Sequence, residues 1–202
     1  MNNTWLTPQQ WNLSSLRAQW AQAKPFPYVL FDDLLSEANQ AELLAAFEDE
    51  PCELLRDEIF TFMASAKSPV TPPLRAFRSA LEDRAVLDAI CAVTQKNTQR
   101  VELRGYAYQP GHYLLPHSDH QQELGRKLAF AYYVKTPSPV VGGELELFSC
   151  KYQEQEIIET RSVTILQPSP NRMVLFQVGD ESLHQVREVL EGTRLSISGW
   201  FF

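Results

Sequence analysis

The stretch "HQVREVLEGTRLSISGWFF" (184–202) contains two runs of alternating apolar and polar residues, separated by a short turn. Side chains on a strand point alternately to its two faces, so each run is typical of a half-buried β-strand. The turn at 191–193 has the length and the glycine of a three-residue hairpin loop. We therefore predict a hairpin with these opposite pairs: Leu190 and Arg194, Val186 and Ser198, His184 and Trp200.

This pairing predicts one apolar face and one mixed face for the hairpin. The apolar face consists of Val189, Leu195, Ile197 and Phe201, and we expect helices from the first half of the chain to cover it. The mixed face carries His184, Val186, Arg194, Ser196, Ser198 and Trp200. A face that served only for packing would not carry an arginine, because an unpaired charge is costly to bury. The mixed face is therefore expected to line a functional site.

The same pattern of short strands extends through the second half of the chain. Eight β-rich runs follow each other with proline or glycine breakers between them: 101–108, 112–116, 127–135, 143–149, 156–166, 172–178, 184–190 and 194–202. Many short strands at such spacing are typical of a sandwich or barrel. The first half has apolar residues three and four positions apart, which predicts helices, and one short strand at 26–35.

Together these patterns predict a mainly β fold of the α+β type. We expect a double-stranded β-helix, that is, a jelly roll of the cupin kind, formed by residues 100–202. Residues 1–99 would be mostly helical and would support the barrel. A chain of 202 residues is long enough for one substantial core, so we expect a single domain over 1–202.

Composition excludes several classes of protein. The formal net charge is −7, which argues against binding to bare nucleic acid. The chain has no apolar run of about 18 residues, so we expect no membrane span. The amino terminus has no basic segment followed by an apolar run, so we expect no signal peptide and a cytoplasmic location. The three cysteines lie far apart, which indicates reduced thiols.

A candidate metal site begins with His117 and Asp119, two residues apart. On a strand, residues at this spacing point to the same side, so both could reach one ion. His184 is the only histidine outside 112–120 and is the candidate for a third ligand. Two histidines and a carboxylate form the facial ligand set of non-haem Fe(II) oxygenases. The spacing alone is weakly specific, because an exposed loop histidine is an equally good interpretation of His117.

His112 and His120 are weaker candidates for metal ligands. His120 is three residues from His117 and would point to the opposite side of a strand. His112 falls in the turn "PGHY" (110–113), before the strand begins. We expect both histidines at the rim of the site or in solvent.

Arg194 strengthens the interpretation of an oxygenase site, because the predicted hairpin places it on the same face as His184. A 2-oxoglutarate that chelates iron leaves its distal carboxylate several ångströms from the metal. A guanidinium can hold such a carboxylate through two hydrogen bonds. The alternative interpretation is a surface arginine beside a turn.

Several segments resemble, in order, the 2-oxoglutarate- and Fe(II)-dependent prolyl hydroxylases. They are "YQPGHYLLPHSD" (108–119), "LAFAYYV" (128–134), "GGELELF" (142–148), "NRMVLF" (171–176), "LHQVREV" (183–189) and "RLSISGWFF" (194–202). The sequence is most similar to the catalytic domain of the eukaryotic ribosomal-protein prolyl hydroxylases, which modify a proline of ribosomal protein uS12. The similarity extends from about Pro25 to Phe202.

The resemblance implies Fe(II), 2-oxoglutarate and O₂ as cofactor and co-substrates, with ascorbate as a reductant. It implies iron ligands at His117, Asp119 and His184, and a co-substrate clamp at Arg194 and Tyr133. Further positions match family residues that contact co-substrate or line the pocket: Tyr108, Ser198 and Trp200. For the two tyrosines and for Trp200, packing in the core is the alternative interpretation.

The implied partner is a protein or peptide substrate, with no nucleic acid and no membrane involved. The eukaryotic ribosomal hydroxylases have a second, degenerate barrel after the catalytic one, whereas this sequence ends at Phe202. The substrate-presenting surface is therefore expected to differ from theirs. Two other functions stay open: hydroxylation of a small molecule such as free proline, and a metal-binding barrel without catalysis.

Overall fold

The computed structural model describes residues 5–154 and 156–202. Its helices are α1 (Leu13–Gln22), α2 (Glu37–Asp49), α3 (Pro72–Leu81) and α4 (Arg84–Thr94). The strands of the first half and of the barrel's beginning are β1 (Tyr28–Phe31), β2 (Cys52–Asp57), β3 (Phe60–Ser65), β4 (Val101–Tyr108), β5 (Tyr113–His117) and β6 (Leu128–Tyr133). The remaining strands are β7 (Val141–Gly142), β8 (Leu145–Gln153), β9 (Glu156–Leu166), β10 (Met173–Gln177), β11 (His184–Val186), β12 (Val189–Glu191) and β13 (Arg194–Phe201).

Most strands belong to one antiparallel sheet that curls over on itself. Its order is β1-β10-β6-β13-β4-β3-β5-β11-β8-β9, with β2 paired to β3, while β7 and β12 form a separate small pair. Strand β3 joins the two halves of the curl, because Met63–Ala64 pair with β4 and Phe60–Thr61 pair with β5. The predicted mainly β jelly roll with supporting helices is confirmed.

The helices cover the outer face of the larger half of the sheet. The shared core includes Leu43, Leu74, Phe77, Leu81 and Ile90 from helices and Val29, Leu103, Phe130, Tyr132, Leu175, Ile197 and Phe201 from strands. The predicted cover is therefore confirmed for Ile197 and Phe201, with Leu195 packed at the edge. Val189 instead lies in a smaller cluster beside Phe62.

Short polar side chains set where the helices begin. Asn12 accepts a hydrogen bond from the backbone N–H of Ser15 at the start of α1, over 3.1 Å. Ser36 and Asp83 cap α2 and α4 in the same way. Helix α3 instead begins with Pro72, whose missing N–H costs nothing in a first turn.

The predicted hairpin over 184–202 is wrong. Strand β13 pairs with β4 along one edge and with β6 along the other, so it has no free edge for residues 184–190. Those residues form two strands: β11 pairs with β5 and β8, and β12 pairs with β7. His184 consequently lies opposite His117 and Leu147, not opposite Trp200. Long-range pairing outcompeted the local turn.

The β2–β3 hairpin was not predicted in the mostly helical first half. Its connection, Glu58-Ile59, contains none of the glycine, asparagine or proline that usually marks a turn. Strand β2 is largely exposed, so it has no clear apolar alternation. Among the described residues, no helix is long and apolar enough to cross a membrane.

Replacing Phe77 with alanine should strongly destabilise the protein. Its side chain is completely buried, with its ring centroid 5.3 Å from that of Tyr132. We expect Phe77→Ala to lower the free energy of unfolding by about 3–5 kcal/mol in urea denaturation followed by circular dichroism. Ser79→Ala, an exposed position of the same helix, should change it by less than about 0.5 kcal/mol. Equal effects of the two changes would contradict this packing.

Candidate metal centre and adjoining pocket

The backbone pairing of two strands brings His117, Asp119 and His184 together. His117 ends β5 and His184 begins β11, and the two residues lie directly opposite each other. Asp119 follows β5 by two residues. One ligand atom from each of the three side chains lies within 4.8 Å of the others. The three side chains that the sequence proposed as metal ligands therefore lie close together, although the hairpin predicted to follow His184 does not form.

The spacing predicted that His117 and Asp119 share a strand. This is wrong, because β5 ends at His117 and Asp119 lies in the loop that follows. Its loop is instead tied to the loop that precedes β11. The hydroxyl of Ser118 donates to the carbonyl oxygen of Gly179 over 3.0 Å and accepts from the backbone N–H of His120 over 3.1 Å. These bonds place the carboxylate of Asp119 beside both histidines.

The distances fit a cluster that can close around one ion. Oδ1 of Asp119 is 3.9 Å from Nε2 of His117, and Oδ2 is 3.6 Å from Nε2 of His184. Each histidine Nδ1 lies 2.9 Å from a backbone carbonyl oxygen, that of Leu115 or Ser182. A carbonyl only accepts, so Nδ1–H donates and Nε2 keeps its lone pair for a metal.

Burial keeps His184 ready to act as a ligand. Its side chain is 6% exposed, and the ring of Phe176 meets it edge-on with 4.7 Å between centroids. Burial lowers the pKa of His184 to about 4, although the charge of Asp119 opposes this change. The imidazole is therefore neutral at physiological pH, as a metal ligand must be. Two imidazoles and one carboxylate are a ligand set that fits Fe(II).

Arg194 forms the second part of the site. It is 3% exposed, and its Cζ lies 4.9 Å from the ring centroids of both Tyr108 and Tyr133. Its Nη1 donates to the hydroxyl of Ser196 over 3.1 Å. In the part of the chain that the structure describes, no carboxylate lies within ion-pair distance of Arg194. Its Nε and the hydroxyl of Tyr133 are both buried without a hydrogen-bond partner.

A buried cation beside an unused hydroxyl is an unusual arrangement. Buried polar groups are nearly always hydrogen-bonded, and buried charges are nearly always paired. The unfilled donors of Arg194 and Tyr133 are therefore suited to a small anion such as a carboxylate. Burial also raises the pKa of the neighbouring Tyr108 well above its usual value, so its hydroxyl stays protonated.

The three candidate metal ligands and Arg194 line the same pocket, which has a volume of about 570 Å³, including space open to solvent. Seven of the eight predicted site residues line it: Tyr108, His117, Asp119, His184, Arg194, Ser198 and Trp200. Tyr133 is not among the lining residues, but its ring lies against Arg194. Sequence patterns did not indicate the aromatic residues that also line the pocket, which include Phe62, Tyr106 and Phe176.

Arg126 is another site residue that sequence patterns did not reveal. Its Cζ lies 3.6 Å above the ring of Trp200, and its Nη1 is 3.3 Å from the carbonyl oxygen of Asp119. The residue stands in a loop before β6, where no periodicity or turn motif distinguishes it from surface arginines. The buried Nε of Arg126 and the buried Nε1 of Trp200 have no hydrogen-bond partner among the described residues.

The two remaining histidines lie outside the cluster, as expected. His120 is a rim residue, with its Nε2 3.4 Å from Oδ1 of Asp180. His112 is half-buried in the turn before β5.

A surface groove of about 1790 Å³, including space open to solvent, runs past the loops that carry the candidate metal ligands. Its lining includes Phe26, His120, Tyr152, Ile157, Asp180 and Glu181.

Known proteins share both the sequence and the fold. The chain is 30% identical over 179 residues to the prolyl 3-hydroxylase OGFOD1 of Mus musculus, and 32% identical over 180 residues to that of Xenopus laevis. Each alignment covers 87% of this chain, which spans only about a third of those relatives, 31% and 33% of their lengths.

Solved structures confirm the jelly roll. A prolyl-4-hydroxylase of Pseudomonas putida matches with a TM-score of 0.71 at 18% identity, covering 94% of this chain and 97% of its own. A prolyl hydroxylase of Trichoplax adhaerens, in complex with a peptide fragment of the hypoxia inducible factor oxygen degradation domain, matches with a TM-score of 0.71 at 16% identity. That match covers 100% of this chain and 96% of the other.

The family model of the 2OG-Fe(II) oxygenase superfamily matches residues 103–202. This region contains the three candidate metal ligands, Arg194 and all strands from β5 to β13. Its members use Fe(II), 2-oxoglutarate and O₂, and the clustered histidines and aspartate have the donor atoms for such an iron. The chain therefore contains a domain of the 2OG-Fe(II) oxygenase superfamily over residues 103–202.

Proposed function

We propose that this chain is a 2-oxoglutarate- and Fe(II)-dependent dioxygenase that hydroxylates a prolyl residue of a polypeptide. The observation that carries the proposal is the buried, unpaired Arg194 in the same pocket as three metal-binding side chains. A metal-binding barrel without catalysis would have no need for such a cation. We also propose that residues 1–202 act as one domain, since helices and barrel share one core.

In this proposal His117, Asp119 and His184 hold Fe(II). Bound Fe(II), with 2-oxoglutarate and O₂, supplies the oxidising chemistry that converts a C–H bond to a hydroxyl while 2-oxoglutarate becomes succinate and CO₂. The carbonyl oxygens of Leu115 and Ser182 fix the two imidazole rings, so each presents Nε2 to the pocket. No side-chain acid or base is required.

Arg194 and Tyr133 would bind the distal carboxylate of 2-oxoglutarate. The guanidinium supplies the charge, and the tyrosine hydroxyl supplies a neutral donor. Tyr108 packs against Arg194 and stays protonated, so it adds no competing negative charge. Ser198 lies on the same pocket wall and can donate a further hydrogen bond to the co-substrate.

The substrate-binding surface would consist of Trp200 and the rings of Phe62 and Tyr106. These flat apolar side chains exclude water and suit the ring of a proline. The unused Nε1–H of Trp200 can donate to a carbonyl oxygen of the bound residue. These residues would therefore fix which C–H bond faces the metal.

A polypeptide substrate is supported by the groove beside the loops of Asp119 and His184, because a free amino acid would not need a groove of about 1790 Å³. The relatives named as prolyl 3-hydroxylases point to the same class. Ribosomal protein uS12 is the specific candidate that the sequence motifs favour. We accordingly propose a cytoplasmic enzyme, kept active by ascorbate.

Loss of a ligand should abolish metal binding. We expect His184→Ala and His117→Ala to weaken the binding of Co(II), an air-stable substitute for Fe(II), by more than about 100-fold in calorimetry. Even outer partners of metal ligands contribute about 10- to 100-fold. His120→Ala is the matched control and should bind Co(II) like the parent protein. A His184→Ala variant that retained Co(II) affinity would remove this residue from the metal site.

Arg194 should determine the affinity for 2-oxoglutarate. A hydrogen bond to a charged group contributes about 1.5–3 kcal/mol, so Arg194→Ala should raise KM for 2-oxoglutarate by roughly 10- to 100-fold. Arg172→Ala is the control, because that arginine pairs with Asp32 away from the pocket. An unchanged KM, measured through succinate formation, would show that the co-substrate binds elsewhere.

The substrate class can be tested by mass spectrometry. Incubation with Fe(II), 2-oxoglutarate, ascorbate and proline-containing peptides of uS12 should add the mass of one oxygen atom and release an equal amount of succinate. Hydroxylation of free proline but of no peptide would show a small-molecule enzyme. Absence of both metal binding and succinate formation would show a barrel without catalysis.

A further inference from the structure

Arg126 connects the wall of the pocket to the metal cluster. Its side chain is only 16% exposed, although it stands in a loop between β5 and β6. One side of its guanidinium lies against Trp200, and one end faces Asp119. Arg126 has no role in the proposed reaction as described above.

The contacts of Arg126 with Asp119 are of two kinds. Nη1 donates to the backbone carbonyl oxygen over 3.3 Å, which fixes the loop that carries Asp119. The same nitrogen lies 4.0 Å from Oδ1 of the carboxylate. The other groups within ion-pair distance of this carboxylate, among residues that the structure describes, are His117 and His184. Arg126 differs from both histidines because it is not one of the three candidate metal ligands, and its guanidinium always carries a charge.

The contact with Trp200 orients the guanidinium. Its Cζ lies 3.6 Å from the ring centroid, which is van der Waals distance, and a cation at this place is attracted by the electrons of the ring. This contact limits how far the guanidinium can move and keeps Nη1 beside Asp119. Trp200 thus acts on Asp119 through Arg126.

We propose that Arg126 is a positioning residue that holds the carboxylate of Asp119 in its metal-binding orientation, and that Trp200 supports it by stacking. This inference rests on the proposed iron site. It links the proposed substrate-binding surface to one of the metal ligands. A change in the orientation of the Trp200 ring would be transmitted to the carboxylate of Asp119 through Arg126.

The test is Co(II) affinity by calorimetry, with the visible spectrum of bound Co(II) as a second reading of ligand geometry. Outer partners of metal ligands contribute about 10- to 100-fold to affinity, so we expect Arg126→Ala to bind Co(II) at least about tenfold more weakly. Arg126→Lys keeps the charge but loses the planar guanidinium. Its Co(II) affinity should therefore lie between those of the parent protein and of Arg126→Ala. Lys127→Ala, the adjacent exposed lysine, should bind like the parent protein.

A double-mutant cycle tests the contribution of Trp200. Trp200→Ala should weaken Co(II) binding, and combining it with Arg126→Ala should cause no further loss, because both changes remove one linkage. Additive losses would overturn the role of Trp200. Folding of every variant is checked by metal-free thermal unfolding, and Arg126→Gln replaces Arg126→Ala if the latter does not fold.

The outcomes separate this inference from the proposed function. If folded Arg126 variants bind Co(II) with the affinity and spectrum of the parent protein, the positioning role is wrong and the iron site stands. If the parent protein itself binds no Co(II), the proposed function fails first. A weaker affinity in Arg126→Ala with partial recovery in Arg126→Lys is the result that the structure predicts.

Discussion

The pairing of β5 with β11 is the constraint on which the rest of the site depends. It places His117 opposite His184, and the hydrogen bonds from each Nδ1 to a backbone carbonyl then fix both rings. These partners belong to the backbone, so they cannot rotate away as side chains would. The pairing itself depends on β3, which joins the half of the sheet containing β5 to the half containing β4 and β13. Arg194, on β13, is therefore held at a fixed distance from the histidines by backbone alone.

Arg194 also shows how a functional requirement opposes stability. Leaving a buried charge without a partner costs on the order of 3–5 kcal/mol. The guanidinium of Arg194 contacts the rings of Tyr108 and Tyr133 and donates a hydrogen bond to Ser196. These contacts offset only part of the cost. An anion bound at Arg194 would restore the missing partner, so a ligand with a carboxylate would stabilise the protein. The helices that cover the other face of the sheet supply the core that tolerates the unpaired charge.

Sequence patterns predicted most strands of the barrel, because these follow from local alternation, while residue type pointed to the three side chains that lie together. They failed where distant segments compete for the same edge. The hairpin at 184–202 was locally plausible, yet β4 and β6 occupy both edges of β13. Arg194 nevertheless reached the predicted pocket, because alternation along β13 depends on that strand alone. Arg126 could not be found, since its stack on Trp200 joins residues 74 positions apart that only the fold brings together.

The bond between Ser118 and Gly179 has a consequence for how the metal is acquired. It fastens the loop of Asp119 to the loop that leads into His184 without using any metal-binding atom. The hydroxyl of Ser182 closes the second loop on itself in the same way. An ion would therefore have little chain to order when it enters. It could bind and leave without unfolding the barrel, unlike an ion in a site that forms only when the metal folds it.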